Sequence, residues 1–334
     1  MQNKIYINQD FFTQVDLTPF YTLQGQSKRG YSGNGKVKGE FIPQKFDDFI
    51  GQEDSKEIAH TIIKGVKLNE YLHFMIDSKP GMGKTSMCNL IAKELNAEFI
   101  YTIGKQIEND EDISNIVNRI NNSEKEVVLF IDELDTMEPK VLKIFNSIVQ
   151  SFKYNDVDIK PFLFASATIN KDEIINSNPD MLNRIHIHMR FENYSQEEMI
   201  KILQINCKEQ YPNYKVVEEV LQKISLNCKY NPRIGLSLLK QYIIVQDVDK
   251  VFKNNGIIKD GLTKKDILIL QVLAKATKPR GANVVASGAG LKEKEYCRIY
   301  EPYLYEYGYI DRVPSRIILD KGREILSKIG GIKL

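Results

Sequence analysis

No apolar run in this sequence approaches the roughly 18 residues that a helix needs to cross a bilayer, so a membrane-spanning protein is not expected. The opening residues, MQNKIYINQDFF, have no basic cluster followed by an apolar stretch and a small-residue cleavage site, which points to a cytoplasmic protein. Cysteine is scarce. Cys88, Cys207, Cys228 and Cys297 are widely scattered, without C-x-x-C spacing, and read as reduced thiols and not as a disulfide frame or zinc module. The histidines His60, His73, His186 and His188 compose no metal-ligand pattern; His186 and His188 alternate in RIHIHMR, as two side chains on one strand face do.

What is present fits an ordinary globular protein. With 334 residues, 42% apolar and 27% charged, the chain has room for two or three domains around a large core. The net charge of +2 conceals an asymmetry: residues 261–334 hold 14 Lys+Arg against 8 Asp+Glu, a net of +6, which leaves −4 for the rest. A basic carboxy-terminal module behind a mildly acidic body suggests either a polyanion contact or a solvated face.

Residues 1–40 contain GQSKRGYSGNGKVKG and read as a flexible arm, with Phe11, Phe12, Phe20 and Tyr21 ahead of it. Over 41–192, short apolar runs (HFMID, EFIYTIG, EVVLFID, PFLFASAT, IHIHMRF) alternate with helical patterns, which predicts a doubly wound parallel α/β domain. Residues 193–258 read as a small second domain, with helical patterns only to about Lys253, and Ser195 with Glu198 forms a capping box. Residues 259–334 pass from helices to the strand-like pieces YGYIDRVP and SRIILD, the order of a winged helix.

The stretch DSKPGMGKT ends as a phosphate loop does, but Ser78 stands where G-x-x-x-x-G-K-[ST] asks for its first glycine. Gly81 and Gly83 let the backbone curl around phosphate, Lys84 supplies charge and Thr85 a hydroxyl for Mg²⁺. A second acidic element follows in VVLFIDELD, where Asp132 would orient Mg²⁺ and Glu133 would polarise the attacking water.

In this order the motifs resemble an AAA+ ATPase and, more closely, the RuvB-type motors that drive branch migration of Holliday junctions. KFDDFIGQED is similar to that family's entry segment, ASAT to its sensor-one strand, PDMLNRI to its arginine-finger element and NPRIGLSLL to its sensor-two helix. EPYLYEYGYIDRVPSR is very like its winged-helix signature. The resemblance covers about residues 41–326. It implies an AAA+ parallel-sheet domain, a small helical lid and a winged helix. It also implies Mg-ATP hydrolysis in a homo-oligomeric ring, a hexamer, that moves duplex DNA or branch-migrates four-way junctions. Carried over residue by residue, Ile50 and Gly51 would border the adenine. Pro80, Gly81, Met82, Gly83, Lys84, Thr85, Ser86 and Pro232 would contact the nucleotide. Thr168, with Asn170 as the alternative, would hold the attacking water. Arg184 would reach a neighbour's γ-phosphate and Arg233 its own subunit's.

On the DNA side, Arg312 and Arg316 match the wing arginines, with Ser315 where a further arginine is common; such contacts would bind backbone phosphates without reading sequence. Tyr303, Tyr305, Tyr307 and Tyr309 resemble base-stacking platforms, or belong to the core. Three departures stand out: SFKYNDVDIKPF is shorter than the family's partner-docking hairpin, Ile42 replaces an arginine, and the arm is extra. The short hairpin puts recruitment by a RuvA-like partner in question, and a divergent, mobile-element branch would account for all three. The alternatives to a motor are a clamp- or helicase-loader-like ATP switch on DNA, and an ATP-gated protein adaptor.

Overall fold

The computed structural model describes residues 42–168, 179–312 and 314–330. The arm expected over 1–40 and the sensor alternative Asn170 therefore lie outside the described residues. The predicted alternation is realised as α1 (Glu53–Lys67), β1 (Phe74–Asp77), α2 (Lys84–Glu94), β2 (Glu98–Ile103), α3 (Asp110–Asn121), β3 (Val127–Asp132) and α4 (Pro139–Ser151). A hairpin of β4 (Lys153–Tyr154) and β5 (Val157–Asp158) follows, then β6 (Leu163–Thr168) and β7 (Ile187–Arg190). The main sheet runs β2-β3-β6-β1-β7 and its neighbours are all parallel.

Side chains of each strand alternate between two apolar layers, because successive residues point to opposite faces. Phe74, Ile76, Val128, Phe130, Leu163, Ala165 and Ala167 pack with α1 and α2 on one face. Met75, Leu129, Ile131 and Phe164 pack with α3 and α4 on the other. Burial on both faces explains why these strands read as nearly continuous apolar runs. In this topology β6 lies between β1 and β3, so a crevice opens at the carboxyl ends of the strands, where α/β sheets place their ligands.

The helices Gln196–Gln210, Glu218–Asn227, Pro232–Val245 and Val248–Asn254 come next. Their apolar residues, among them Leu203, Ile224 and Leu238, continue the core of the first sheet face. Ser195 caps the first of these with Glu198, as its sequence predicts. A separate core of Leu262, Ile267, Leu270, Tyr296, Leu304, Ile310, Ile318 and Ile325 holds the carboxy-terminal unit. That unit contains helices Lys264–Ala274, Ala282–Gly288 and Asp320–Ile329 and the two-residue strands Ile310–Asp311 and Ile317–Ile318, paired antiparallel. No helix among the described residues is long and apolar enough to cross a membrane.

Candidate active site

The phosphate loop joins β1 to α2. Gly81 and Gly83 have φ of +82° and +102°, in the region that disfavours other residues. A Cβ at Gly81 would meet Arg233 Cβ and Asn231 Oδ1 at 2.7 Å, and one at Gly83 would meet the Phe49 ring at 3.1 Å. Ser78 is not among the residues with positive φ. Its contribution is its carbonyl, which accepts a 2.9 Å bond from Lys84 Nζ, while Lys79 O accepts another of 3.1 Å. Two further contacts fix the loop by its carbonyls: Tyr194 OH donates to Met82 O at 2.9 Å and Asn231 Nδ2 to Pro80 O at 2.8 Å. No side chain caps α2, so its first backbone N–H groups and its dipole face the crevice, as anion binding requires.

The acidic pair closes the other side. Asp132 ends β3 and accepts from the Glu133 N–H at 2.9 Å. Glu133 adopts φ +50°, and its carbonyl takes the Thr136 N–H and hydroxyl at 2.9 and 2.7 Å. Burial raises the Asp132 carboxyl above its ordinary value, opposed by the Lys84 ammonium. Burial, then the Asp132 charge, raises Glu133. Lys84 is lowered, chiefly by burial, with Asp132 pulling the other way. These are mutually facing groups in a low-dielectric cleft. Thr168 sits opposite Asp77 in the β1–β6 register and donates to Asp135 Oδ1 at 2.8 Å.

Gln52 locks the entry segment by exchanging two hydrogen bonds, of 2.7 and 2.9 Å, with the backbone of Glu192. Beside it, Gly51 adopts φ +70°, which disfavours other residues, and a Cβ there would have to displace Glu198 Oε1, 2.5 Å away. Ile50, Thr85 and Ser86 are partly buried and Pro232 is buried. Arg233 lies close enough to act on Lys84, Asp132 and Glu133. Two loop contacts escaped the sequence reading: Tyr194 and Asn231. Asn231 carried a visible signal, being the cap residue before Pro232, whereas nothing local marked Tyr194.

Arg184 stands apart. It precedes β7 and lines a cleft of about 340 Å³ with Asn69, Tyr71, His73, Gln150 and His186. His73 leads into β1, so this cleft is at the amino ends of the strands, whereas the phosphate loop leaves the carboxyl end. Four residues of β1 alone put roughly 13 Å between the two edges. Its Nε is buried without a hydrogen-bond partner.

The wing arginines also differ from each other. Arg316 pairs with the buried Glu301 at 2.6 and 3.1 Å, and that carboxylate raises it above the usual arginine range. Arg312 is exposed, with its guanidinium 4.3 Å from the Tyr305 ring centroid. Of the four tyrosines, Tyr309 is buried, Tyr303 packs against Tyr307 and Tyr309, and Tyr307 stacks on Tyr230; Tyr305 is the exposed one.

Residues 41–171 match the family model described as "Holliday junction DNA helicase RuvB P-loop domain", and residues 259–327 match "RuvB C-terminal winged helix domain". The chain is 30% identical over 302 residues to the Holliday junction branch migration complex subunit RuvB of Pseudothermotoga lettingae, covering 81% of this chain and 85% of that one. The RuvB subunit of Mycoplasma genitalium is 28% identical over 305 residues, 85% of this chain and 97% of its own length. Among solved structures, the Thermotoga maritima RuvB Holliday junction branch migration motor superposes with a TM-score of 0.73 at 25% identity, covering 86% of this chain and 98% of that one.

Proposed function

The chain belongs to the RuvB family and is accordingly a P-loop ATPase; from that premise we propose that it is an ATP-driven DNA motor. Subunits assemble head-to-tail into a hexameric ring that translocates duplex DNA or branch-migrates a four-way junction. The observation that carries this reading is the separation of Arg184 from the phosphate loop across the sheet. An arginine at the amino edge cannot reach its own γ-phosphate, but it suits a neighbour's.

The residues of the cleft fit Mg-ATP: two left-handed glycines that a Cβ would obstruct, an uncapped helix start, and a buried carboxyl facing a lysine. Thr85 and Asp132 would hold Mg²⁺, which neutralises phosphate charge when bound. Lys84 and the loop N–H groups orient the phosphates. Glu133, its carboxyl raised above its ordinary value by burial and by the Asp132 charge, accepts a proton from the attacking water, and Thr168 aligns that water through the hydroxyl it shares with Asp135. Arg184 from the next subunit stabilises the charge developing on the leaving phosphates. Arg233 reports nucleotide state to the lid, and Arg312 with Arg316 holds the DNA backbone. The β4–β5 hairpin turns through Asn155 and Asp156, both at positive φ, and this short polar tip supports recruitment by something other than a RuvA-like protein.

Mixed subunits test the assembly. Arg184→Ala and Lys84→Ala each hydrolyse ATP about 10³-fold more slowly alone, yet their mixture recovers part of the activity, because an intact loop then meets an intact arginine. No recovery on mixing overturns the action in trans. Strand displacement by the wild type separates the motor from a switch: DNA-stimulated hydrolysis without displacement favours the switch.

A further inference from the structure

One short helix, Glu301–Glu306, faces the wing on one side and the nucleotide site on the other. Towards the wing, Glu301 grips Arg316 and Tyr305 carries Arg312. At its last residue, the Glu306 carboxylate pairs with the ammonium of Lys79, which follows Ser78 in the phosphate loop. Asn193 completes the junction: its Nδ2 donates to Glu306 at 2.6 Å and its Oδ1 accepts from Lys79 at 3.1 Å. Immediately after the helix, Tyr307 stacks on Tyr230 with ring centroids 5.1 Å apart and planes 6° from parallel.

We propose that Glu306 is a positioning residue for the phosphate loop: it draws the Lys79 ammonium away from the nucleotide and releases it when the wing grips duplex DNA. A carboxylate beside a loop built for anions opposes phosphate by its own charge, and it also occupies a cation that would otherwise favour phosphate. The side chains of Lys79 and Glu306 are 41% and 35% exposed. A pair so open to solvent is weak, and a weak contact is what a modest difference in DNA affinity between two states can break. DNA phosphates compete with Glu301 and Tyr305 for the two arginines, so gripping the duplex disturbs the helix that ends in Glu306. The DNA-dependent half of this inference rests on the DNA reading above.

The test is ATP hydrolysis by the full-length chain, with and without duplex DNA, for wild type, Glu306→Gln, Lys79→Gln and the double variant. Without DNA, Glu306→Gln is expected to lower KM for ATP about three- to fivefold, with kcat within about twofold of wild type. DNA should lower KM for the wild type and leave that of Glu306→Gln unmoved. Lys79→Gln should raise KM more in the Glu306→Gln background, where the ammonium is free to favour phosphate, than alone, so the two substitutions are not additive. A purely structural contact would shift the melting temperature and leave KM as it was. Equal KM values for wild type and Glu306→Gln without DNA, or additive effects, overturn the proposal. A wild type that ignores DNA altogether fails the motor reading instead, and the DNA-free comparison of positions 79 and 306 still decides the latch.

Discussion

A phosphate loop needs glycine only where φ is positive or where a neighbour fills the place of Cβ. Gly81 meets both conditions and Ser78 does not meet the first, since the loop uses its carbonyl, which any residue supplies. Ser78→Gly is therefore expected to leave ATP affinity within about twofold while costing up to about 1 kcal/mol of stability through the freer unfolded chain. Gly81→Ala should behave differently. A left-handed alanine costs about 1–2 kcal/mol, and its methyl would press on Arg233 and Asn231, so nucleotide affinity should fall at least about tenfold. Titration with a fluorescent nucleotide checks both. The motif in the sequence located the loop but could not rank its glycines, because the ranking depends on dihedrals and on an arginine 152 positions away.

Among the elements, the helix Pro232–Val245 is tied to the phosphate loop through its cap. Asn231 accepts from the Ile234 N–H at 3.3 Å with Oδ1 and, with Nδ2, holds Pro80 O. Asn231→Ala should cost about 1 kcal/mol of stability from the lost cap and speed ADP release about fivefold from the lost bond to the loop. Stopped-flow displacement of labelled ADP measures the second effect, and unchanged release would confine Asn231 to capping. Other elements were legible: strand runs, crossover helices and the Ser195–Glu198 capping box all follow from local pattern. The tyrosines of EPYLYEYGY show the limit. Alternation alone cannot separate a base-stacking face from a packed one, and only the arrival of Tyr230 from the lid decides that Tyr307 is packed.

Across the whole molecule, stability should depend on His73. Its Nδ1 accepts the Phe164 N–H of the neighbouring strand at 3.2 Å, at the amino end of β1, and burial, then His186, lowers its pKa from 6.5 to about 4. The folded state thus resists a proton that the unfolded state accepts. The stabilisation is complete above pH 6.5 and is lost as pH falls towards 4. It amounts to about 2–3 kcal/mol. Denaturant unfolding at pH 7 and pH 4 should show this loss in the wild type and a smaller one in His73→Gln, which keeps an acceptor that does not titrate. No sequence pattern announced this, nor the contact of Lys79 with Glu306 across 227 positions, because long-range partners are chosen by packing. Arg184 was legible only by resemblance, and its position at the far edge of the sheet has a further consequence. If Arg184 acts in trans as proposed, an open arc of such subunits would hold an idle pocket at one end and an idle arginine at the other, so an arc would have one working site fewer than its subunits. Each subunit added to an arc would then contribute one site, whereas the subunit that closes the circle would contribute two, concentrating catalytic gain in the last step of assembly.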